Sequence, residues 1–272
     1  MSTVLMVDMG YVCSRAFYAT GHLSFDGRGT GVALGVIETI ELCRERFAVD
    51  RTALAFDYGI GQRRVIYPQY KANRRVSQTD EEKLLRAEYI KQLKWVPAVF
   101  RRLGYRNLLR QRSYEADDVI ASVAKRLEAD DRGIIVSADQ DLWQLIRANV
   151  VCFDPRTKKV MDRDSFVREW GLDPALWSHV KSLAGDPSDN IEGIRGVGLK
   201  TAVKYFVSPG ELSEKKRDLI NNSIGIYNRN LQLIRLPFEG TDKFDLRDDE
   251  LTAERRAWVM ERLGAGGVRW RR

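Results

Sequence analysis

Three short apolar runs along the chain each end at an aspartate. They read VLMVD, ALAFD and GIIVSAD, and they end at Asp8, Asp57 and Asp139. A run that is apolar throughout, instead of alternating with polar residues, is typical of a strand buried on both faces of a parallel sheet. Because ligands bind beyond the carboxyl ends of the strands in such sheets, we expect the three carboxylates to meet at one edge.

Apolar residues at helical spacing separate these runs. The spacing predicts helices over about residues 31–48, 116–128 and 142–148, and a longer helical stretch over about 81–103. Strands that alternate with helices predict an α/β fold in which a mostly parallel sheet is flanked by helices.

The segment YEADDVIA places three carboxylates, those of Glu115, Asp117 and Asp118, at the start of a predicted helix. Acids in a first helical turn have an ordinary explanation, because they bind unpaired N–H groups and lie at the positive end of the helix dipole. Aspartates that follow strands can likewise stabilise turns. Capping alone does not explain why further acids, such as Asp141 in SADQD, are expected at the same edge.

A carboxylate cluster of this kind requires positive charge. Two unit charges about 4 Å apart repel by roughly 4 kcal/mol at an effective dielectric of 20. The available ligands are hard oxygen atoms, since the chain has only two histidines and three widely separated cysteines. This composition favours magnesium or manganese over zinc.

Composition narrows the class of protein. The chain has 272 residues, 44% of them hydrophobic, which is typical of a globular protein with one large or two modest domains. It shows neither an apolar run long enough to cross a bilayer nor the start of a signal peptide, so we expect a cytoplasmic protein without a membrane partner. The formal net charge of +7 predicts a polyanionic partner, and nucleic acid is the commonest one.

The segment LAGDPSDNIEGIRGVGLKTAVKYF, residues 183–206, joins two aspartates to a glycine-rich turn that opens a helix. Glycines permit a tight hairpin whose backbone N–H groups, aided by the helix dipole, bind phosphate without reading base sequence. A nucleotide-binding P-loop needs adjacent Gly and Lys before Ser or Thr, whereas Leu199 intervenes here. A hairpin that only packs two helices explains the glycines but not Asp186 and Asp189.

Cations and aromatic rings alternate in RRVIYPQYKANRR, residues 63–75. Cations attract a phosphate backbone and rings stack on unpaired bases, although a charged run taken alone is as often a solvated surface. Together with the acidic segments, the run is interpreted as a nucleic-acid contact.

Six segments match one family in the same order. They are VDMGYVCSRAFYA, AFDYG, YPQYKANR, YEADDVIA, SADQDLWQL and GDPSDNIEGIRGVGLKTA. This succession, over about residues 4–237, resembles the 5′-nuclease and flap endonuclease family, which includes free-standing phage enzymes and the 5′-nuclease domain of bacterial DNA polymerase. The resemblance implies a PIN-like α/β core over residues 1–175 with a helical arch at about 62–95. Residues 176–272 would hold a helix–three-turn–helix element that binds DNA and C-terminal helices that pack on the core.

The resemblance also implies a ring of carboxylates that holds two divalent metal ions, Mg²⁺ or Mn²⁺. By motif match the first group is Asp8, Asp57, Glu115, Asp117, Asp118 and Asp139, and the second is Asp141, Asp186 and Asp189. Asp118 and Asp139 are expected to act in catalysis as well. Two metals can activate water, orient the scissile phosphate and neutralise the leaving oxygen, so no covalent nucleophile is required.

Nucleic-acid contacts follow from the same resemblance. Lys71 and Arg74 are expected at the scissile phosphate as catalytic residues, with Tyr70 stacked on a terminal base. The full set of expected DNA contacts is Arg63, Arg64, Tyr67, Tyr70, Lys71, Arg74 and Arg75 in the arch, and Gly196, Gly198, Lys200, Thr201 and Lys204 at the glycine hairpin. The family hairpin often holds a potassium ion through backbone carbonyls, which predicts K⁺ at Gly196–Gly198.

The implied activity is that of a structure-specific 5′ nuclease, which hydrolyses phosphodiester bonds at 5′ ends, flaps or primers of branched or nicked duplex DNA. Expected partners are such 5′-tailed duplexes, an RNA–DNA hybrid, a replication polymerase and a single-strand DNA-binding protein. The chain is expected to be a monomer in the cytoplasm of a bacterium or a phage-infected host. Two alternatives stay open. A PIN-type ribonuclease acting on single-stranded RNA has no use for a duplex-binding hairpin, and a non-catalytic junction-binding protein would gain nothing from acids that repel phosphates.

Overall fold

A computed structural model of the chain describes residues 1–75 and 79–266, with Arg75 described by its backbone alone. The strands are β1 Thr3–Asp8, β2 Ser24–Phe25, β3 Arg28–Gly29, β4 Arg51–Ala55, β5 Asn107–Leu109, β6 Arg132–Val136, β7 Val150–Asp154, β8 Lys159–Met161, β9 Gly185–Asp186 and β10 Ile191–Glu192. The α-helices are α1 Met9–Thr20, α2 Gly31–Phe47, α3 Gly61–Ile66, α4 Asp80–Leu93, α5 Val96–Leu103, α6 Ala116–Lys125, α7 Arg163–Trp170, α8 Trp177–Ala184, α9 Leu199–Val207, α10 Glu214–Asn221, α11 Ile224–Ile234 and α12 Ala253–Arg262. Short 3₁₀ helices cover Ala72–Arg75, Gln140–Leu145, Pro174–Leu176, Pro187–Asp189 and Pro209–Glu211.

The apolar runs form the centre of one six-stranded sheet, in the order β5-β4-β1-β6-β7-β8. The first five strands are parallel, and β8 pairs antiparallel with β7. Met6 in β1 lies between Ala53 of β4 and Ile135 of β6. The carboxyl ends of β4, β1 and β6 are therefore side by side, and the predicted mostly parallel α/β sheet is confirmed.

Successive residues of β1 enter two different hydrophobic clusters. Leu5 and Val7 pack with residues of α1, α2, α5 and α12 on one face of the sheet. Val4 and Met6 pack with residues of α6 and the Gln140–Leu145 segment on the other face. Burial on both faces explains why the strand is apolar throughout instead of alternating.

Two of the four predicted helical stretches correspond to single helices, α2 and α6. The stretch predicted over 81–103 is two helices, α4 and α5, because Pro97 lies in the first turn of α5 and cannot donate a hydrogen bond to a continued helix. The helix predicted over 142–148 is wrong. The chain there forms a 3₁₀ helix and then a tight connection into β7, in which the amides of Arg147 and Val150 donate to each other's carbonyls. Within the described residues, no helix has both the length and the apolar character needed to cross a bilayer.

Helices α8 and α9 enclose the predicted glycine hairpin. The backbones of β9 and β10 approach so closely that a Cβ atom on Gly193 would lie 2.1 Å from the carbonyl oxygen of Ala184. Trp177, Ile194 and Val197 bury the inner face of this unit in a third hydrophobic cluster. The predicted division of the chain near residue 175 stays a prediction.

The extended segment after α11 returns across the sheet and is fixed by Asp249. Its carboxylate accepts hydrogen bonds from Thr52 N at 3.0 Å, Arg106 N at 3.2 Å and the Arg44 guanidinium at 3.1 Å. The side chain is 2% exposed, so loss of the carboxylate would leave two backbone donors and a guanidinium without their partner.

We predict that Asp249→Ala lowers the free energy of unfolding by about 2–4 kcal/mol, because buried donors then lack an acceptor. Asp248→Ala, an exposed neighbour, is the matched control and is expected to change stability by less than about 0.5 kcal/mol. Urea denaturation followed by circular dichroism measures both. Equal midpoints for the two variants would contradict the role assigned to Asp249.

Candidate metal and nucleic-acid site

The carboxyl edge of the sheet brings strand-end acids and the start of α6 together. Asp8 ends β1, while Asp57 and Asp139 follow β4 and β6 by two and three residues. Asp57 Oδ1 accepts a hydrogen bond from Ala116 N at 2.9 Å, which ties the end of β4 to the first turn of α6. The meeting of these acids that the strand pattern predicts is thus present in the fold.

Asp8 lies at the centre of this edge. Its carboxylate caps α1 through Tyr11 N at 3.0 Å and accepts a hydrogen bond from Ser137 Oγ at 2.9 Å. Burial, together with the nearby Asp57 and Asp139 carboxylates, raises the pKa of Asp8 to about 6 in spite of these bonds. A Cβ atom on Gly10 would lie only 3.0 Å from Asp57 Oδ2, so glycine at this position leaves room for the acids.

Asp117 points toward the same group. Burial raises its pKa well above the usual range, and the carboxylates of Asp139, Asp8, Glu115 and Asp57 raise it further. A half-buried acid surrounded by four others is destabilised in its charged form unless a proton or a cation neutralises it. This first acidic group, defined as Asp8, Asp57, Glu115, Asp117 and Asp139, therefore suits a divalent metal ion.

A second acidic group is formed by Asp141, Asp186 and Asp189. One carboxylate oxygen of each lies within 4.8 Å of the others. Asp186 caps the short Pro187–Asp189 3₁₀ helix, where its Oδ1 accepts from Ser188 N at 2.9 Å and from Ser188 Oγ at 2.7 Å. The compact oxygen set has the chemistry of a site for a hard divalent cation.

Lys181 is a functional residue that the sequence interpretation missed. Its ammonium donates to Asp186 Oδ2 at 2.5 Å and to Asp141 Oδ1. Burial and the carboxylates of Asp139 and Asp186 raise the pKa of Asp141 to about 7, against the opposing effect of Lys181. Burial would also raise the pKa of Asp186, but Lys181 and Ser188 outweigh it and hold that pKa below its usual value. The available signal was a lysine in the largely apolar run WSHVKSLAGD, five residues before Asp186.

Tyr70 and Lys71 connect the two acidic groups. The Tyr70 hydroxyl lies 2.7 Å from Glu115 Oε2 and 3.0 Å from Asp189 Oδ2. The Lys71 ammonium donates to Glu115 and lies 3.5 Å from Asp189 Oδ2. Arg74 adds an ion pair with Asp189 Oδ1 at 2.8 Å. Lys71 and Arg74 thus lie at the acids, and their expected contact with the scissile phosphate stays a prediction.

The structure corrects the prediction that Asp118 binds metal and acts in catalysis. Asp118 is fully buried, and both of its oxygens pair with the Arg63 guanidinium at 2.6 and 2.8 Å. The same oxygens accept hydrogen bonds from Glu115 N at 3.1 Å and Phe238 N at 2.9 Å. Asp118 is therefore assigned to the buried ion pair with Arg63, and no metal ion is assigned to it.

Two predicted DNA contacts in the arch segment are buried in this conformation and need correction. Arg63 is 4% exposed and Tyr70 is 2% exposed, so neither the guanidinium nor the ring can meet a phosphate or a base. Arg63 was assigned from the alternation of cations and rings, which does not distinguish an outward side chain from one that neutralises an internal acid. The stacking of Tyr70 was implied by the family resemblance.

The other arch residues are more accessible. Tyr67 is half-buried beneath the Arg229 guanidinium, 4.7 Å from its ring centroid. Arg64 donates to the carbonyl oxygen of Tyr70 at 3.1 Å. The side chain of Arg75 lies outside the described part of the chain, as does part of the predicted arch turn at residues 76–78.

The predicted hairpin contacts lie mostly on an accessible surface. Gly196 has φ +82°, a conformation that favours glycine, and Gly198 begins α9 with open space where a Cβ atom would be. Lys200 is exposed and Thr201 is partly exposed, whereas Lys204 pairs with Glu211 at 2.9 Å. The carbonyl oxygen of Gly196 accepts a hydrogen bond from the Lys216 ammonium, and the potassium ion stays a prediction.

Comparison with known proteins places this fold and site in context. Residues 3–171 match the family model described as "5′-3′ exonuclease, N-terminal resolvase-like domain". The chain is 35% identical over 231 residues to DNA polymerase I of Mycobacterium bovis, covering 81% of this chain and 24% of the relative. It is 29% identical to the thermostable DNA polymerase I of Thermus thermophilus, covering 79% of this chain and 25% of the relative. The chain therefore spans about a quarter of the length of the curated relatives it matches.

Solved structures share the fold. The T5 D15 protein co-crystallised with metal ions has a TM-score of 0.74 at 23% identity, covering 86% of this chain and 90% of its own. The catalytic core of Rad2 in complex with DNA has a TM-score of 0.58 at 14% identity, covering 97% of this chain and 88% of its own. At these identities the likeness concerns the fold, a mostly parallel sheet flanked by helices. Since the family model covers more than half of the chain, the protein belongs to the 5′-3′ exonuclease family defined by this N-terminal domain.

Proposed function

We propose that the chain is a structure-specific 5′ nuclease that hydrolyses phosphodiester bonds at 5′ ends or flaps of branched or nicked duplex DNA, using two divalent metal ions. The observation that carries the proposal is the pair of acidic groups at one edge of the sheet, bridged by Tyr70 and Lys71. Family membership and the DNA complex of the Rad2 core support it.

The metal ions are assigned to the two acidic groups. Asp8, Asp57, Glu115, Asp117 and Asp139 would hold one, and Asp141, Asp186 and Asp189 the other, while Asp118 is assigned to its ion pair with Arg63. Magnesium and manganese fit the all-oxygen donor set. When bound, such a pair lowers the pKa of water and neutralises charge on the attacking and leaving oxygens.

Lys71 and Arg74 are assigned to the scissile phosphate. In the structure both cations pair with carboxylates of the acidic groups, Glu115 and Asp189. Metal ions and DNA would change these pairings, because the carboxylates then neutralise metal and the two cations become free to bind phosphate oxygens. Lys71 thereby helps to orient the phosphate and to stabilise the negative charge that develops on it.

The glycine hairpin is assigned to the duplex. Backbone N–H groups at the start of α9, with Lys200 and Thr201 beside them, bind phosphates without reading bases. Because the longer relatives are DNA polymerases, primer or flap removal beside a polymerase is the proposed setting, with RNA–DNA hybrids as further substrates.

The test of the proposed function is cleavage of a labelled 5′-flap duplex with magnesium, next to a chelator control and single-stranded RNA. We expect metal-dependent cleavage near the junction, and a loss of roughly 100-fold or more in Asp186→Asn, because metal ions supply several kcal/mol of charge stabilisation. Asp164→Asn, on the exposed face of α7, is the control and should retain wild-type activity. Tight DNA binding without cleavage, with magnesium or with manganese, would favour the junction-binding protein. Cleavage of single-stranded RNA in preference to the flap duplex would favour the ribonuclease.

A second prediction separates the arch from the hairpin. Lys71→Ala should lower single-turnover cleavage by roughly 100-fold with little change in duplex affinity, because its cation acts on the reacting phosphate. Lys200→Ala should weaken duplex binding by about three- to tenfold. It should also reduce the slope of the logarithm of the binding constant against the logarithm of salt concentration by about one, which corresponds to about one released counterion. Equal losses of affinity, with unchanged single-turnover rates in both variants, would contradict this division.

The raised pKa values of the acids predict pH-dependent metal binding. Since the pKa of Asp8 is raised to about 6 and that of Asp141 to about 7, a metal ion that binds these acids below those pH values must displace protons. Because the folded state binds more protons at these two acids than the unfolded chain, their contribution to metal-free stability falls as pH rises from about 4 to 7. Bound metal reverses this trend.

We therefore expect the apparent affinity for Mn²⁺ to fall by up to about tenfold for each pH unit below 7, with proton release on binding that is larger at pH 6 than at pH 8.5. Manganese electron paramagnetic resonance gives the affinity, and calorimetry in buffers of different ionisation enthalpy gives the released protons. A constant Mn²⁺ affinity from pH 5.5 to 8.5 would show that metal binding does not displace protons from these carboxylates.

A further inference from the structure

Helix α3, which begins the arch segment, is held to the core mainly by one side chain. Arg63 is the buried residue of this helix, whereas Val65 is 81% exposed. The Arg63 guanidinium donates from Nε to the carbonyl oxygen of Leu233 at 2.8 Å and packs 4.9 Å from the centroid of the Phe238 ring. The start of the arch is therefore joined to the segment that follows α11.

The partner of Arg63 joins the same elements from the other side. Asp118 belongs to the first turn of α6 and forms a two-bond fork with the guanidinium, at 2.6 and 2.8 Å. It also accepts from Glu115 N and from Phe238 N. Three segments that are distant in sequence, α3, α6 and the chain around Phe238, thus share one buried ion pair.

Tyr70 and Lys71 lie downstream of this anchor. Lys71 has φ +53°, which is uncommon for a residue other than glycine and persists only where the surroundings hold it. Its amide donates to the carbonyl oxygen of Asp189 at 2.8 Å, and its ammonium faces Glu115. Glu115 itself is placed by the bond between its amide and Asp118.

We propose that the Arg63–Asp118 pair is a positioning device, which fixes the start of the arch against α6 so that Tyr70 and Lys71 face Glu115 and Asp189. Both residues act through their neighbours and contact neither metal nor substrate. Arg63 holds the arch and its guanidinium also lies 3.2 Å from Glu115 Oε2, while Asp118 holds the backbone amide of Glu115. The inference rests on the proposed nuclease function for its kinetic consequence but not for its structural one.

Hydrogen exchange of the metal-free protein tests the structural consequence. In Arg63→Met we expect the amides of α3 and of Lys71 to exchange at least about tenfold faster than in the wild type, because the anchor that limits local opening is gone. Arg101→Met, the same change at an exposed position of α5, should leave these amides unchanged. Arg63→Lys keeps the charge but loses the two-bond fork, and it should give an intermediate rate.

Kinetics and metal binding test the positioning role. In Arg63→Met and Asp118→Asn, single-turnover cleavage of the 5′-flap duplex at saturating metal should fall at least about tenfold, while Mn²⁺ affinity stays within about twofold of the wild type. A single-turnover rate for Arg63→Lys between those of Arg63→Met and the wild type would support positioning. Arg63→Lys also serves as the test if Arg63→Met does not fold.

Two results would overturn the inference. A tenfold or larger loss of Mn²⁺ affinity in Asp118→Asn, with α3 exchange unchanged, would make Asp118 a metal ligand. Wild-type exchange and cleavage in Arg63→Met and Arg63→Lys would show that the pair positions nothing. If the wild-type chain cuts none of the DNA substrates, the proposed function fails, and the exchange comparison still decides the positioning role.

Discussion

Repulsion among the carboxylates at the carboxyl edge of the sheet is the constraint on which the rest of this structure depends. Eight acids in two groups meet there, and burial of Asp8, Asp117 and Asp141 disfavours their charged forms. Each must be neutralised by a proton, a cation or hydrogen bonds. The elements around the site are arranged in ways that supply all three.

Protons and lysines perform part of this task in the structure. Lys181 lies between Asp141 and Asp186, and Lys71 lies between Glu115 and Asp189, so each ammonium pairs with two acids. Asp8 and Asp141 lose their negative charge by binding a proton, because their pKa values are raised to about 6 and about 7. These protons and ammonium groups are the positive charges that bound divalent cations would replace.

The strand pattern made much of this fold predictable. Runs that are apolar throughout identify central parallel strands, and topology alone then brings Asp8, Asp57 and Asp139 to one edge. Local backbone details were harder to predict from the sequence. The break between α4 and α5 and the 3₁₀ helix after Asp139 depend on how the chain turns into its next element. Periodicity reports which residues are buried and carries little information about such turns.

The partners of charged side chains were the least predictable part. Lys181 and Arg63 belong to the site because they contact acids from other elements of the fold. A single sequence does not reveal such tertiary contacts. The alternation of cations and rings in residues 63–75 suggested that all of them face DNA. In the folded chain Arg63 faces a buried aspartate and the Tyr70 hydroxyl lies between two acids.

Asp117 and Asp118 show why adjacent acids in one motif can have different roles. Successive residues of a helix point about 100° apart, so two neighbouring carboxylates in the first turn of α6 cannot both face the same metal with the same geometry. Asp117 points toward the other acids and is destabilised in its charged form, which a metal ion would relieve. Asp118 points inward, where a guanidinium and two backbone amides occupy its oxygens. The direction in which an acid points, as well as its place in a motif, thus decides whether it can face a metal ion.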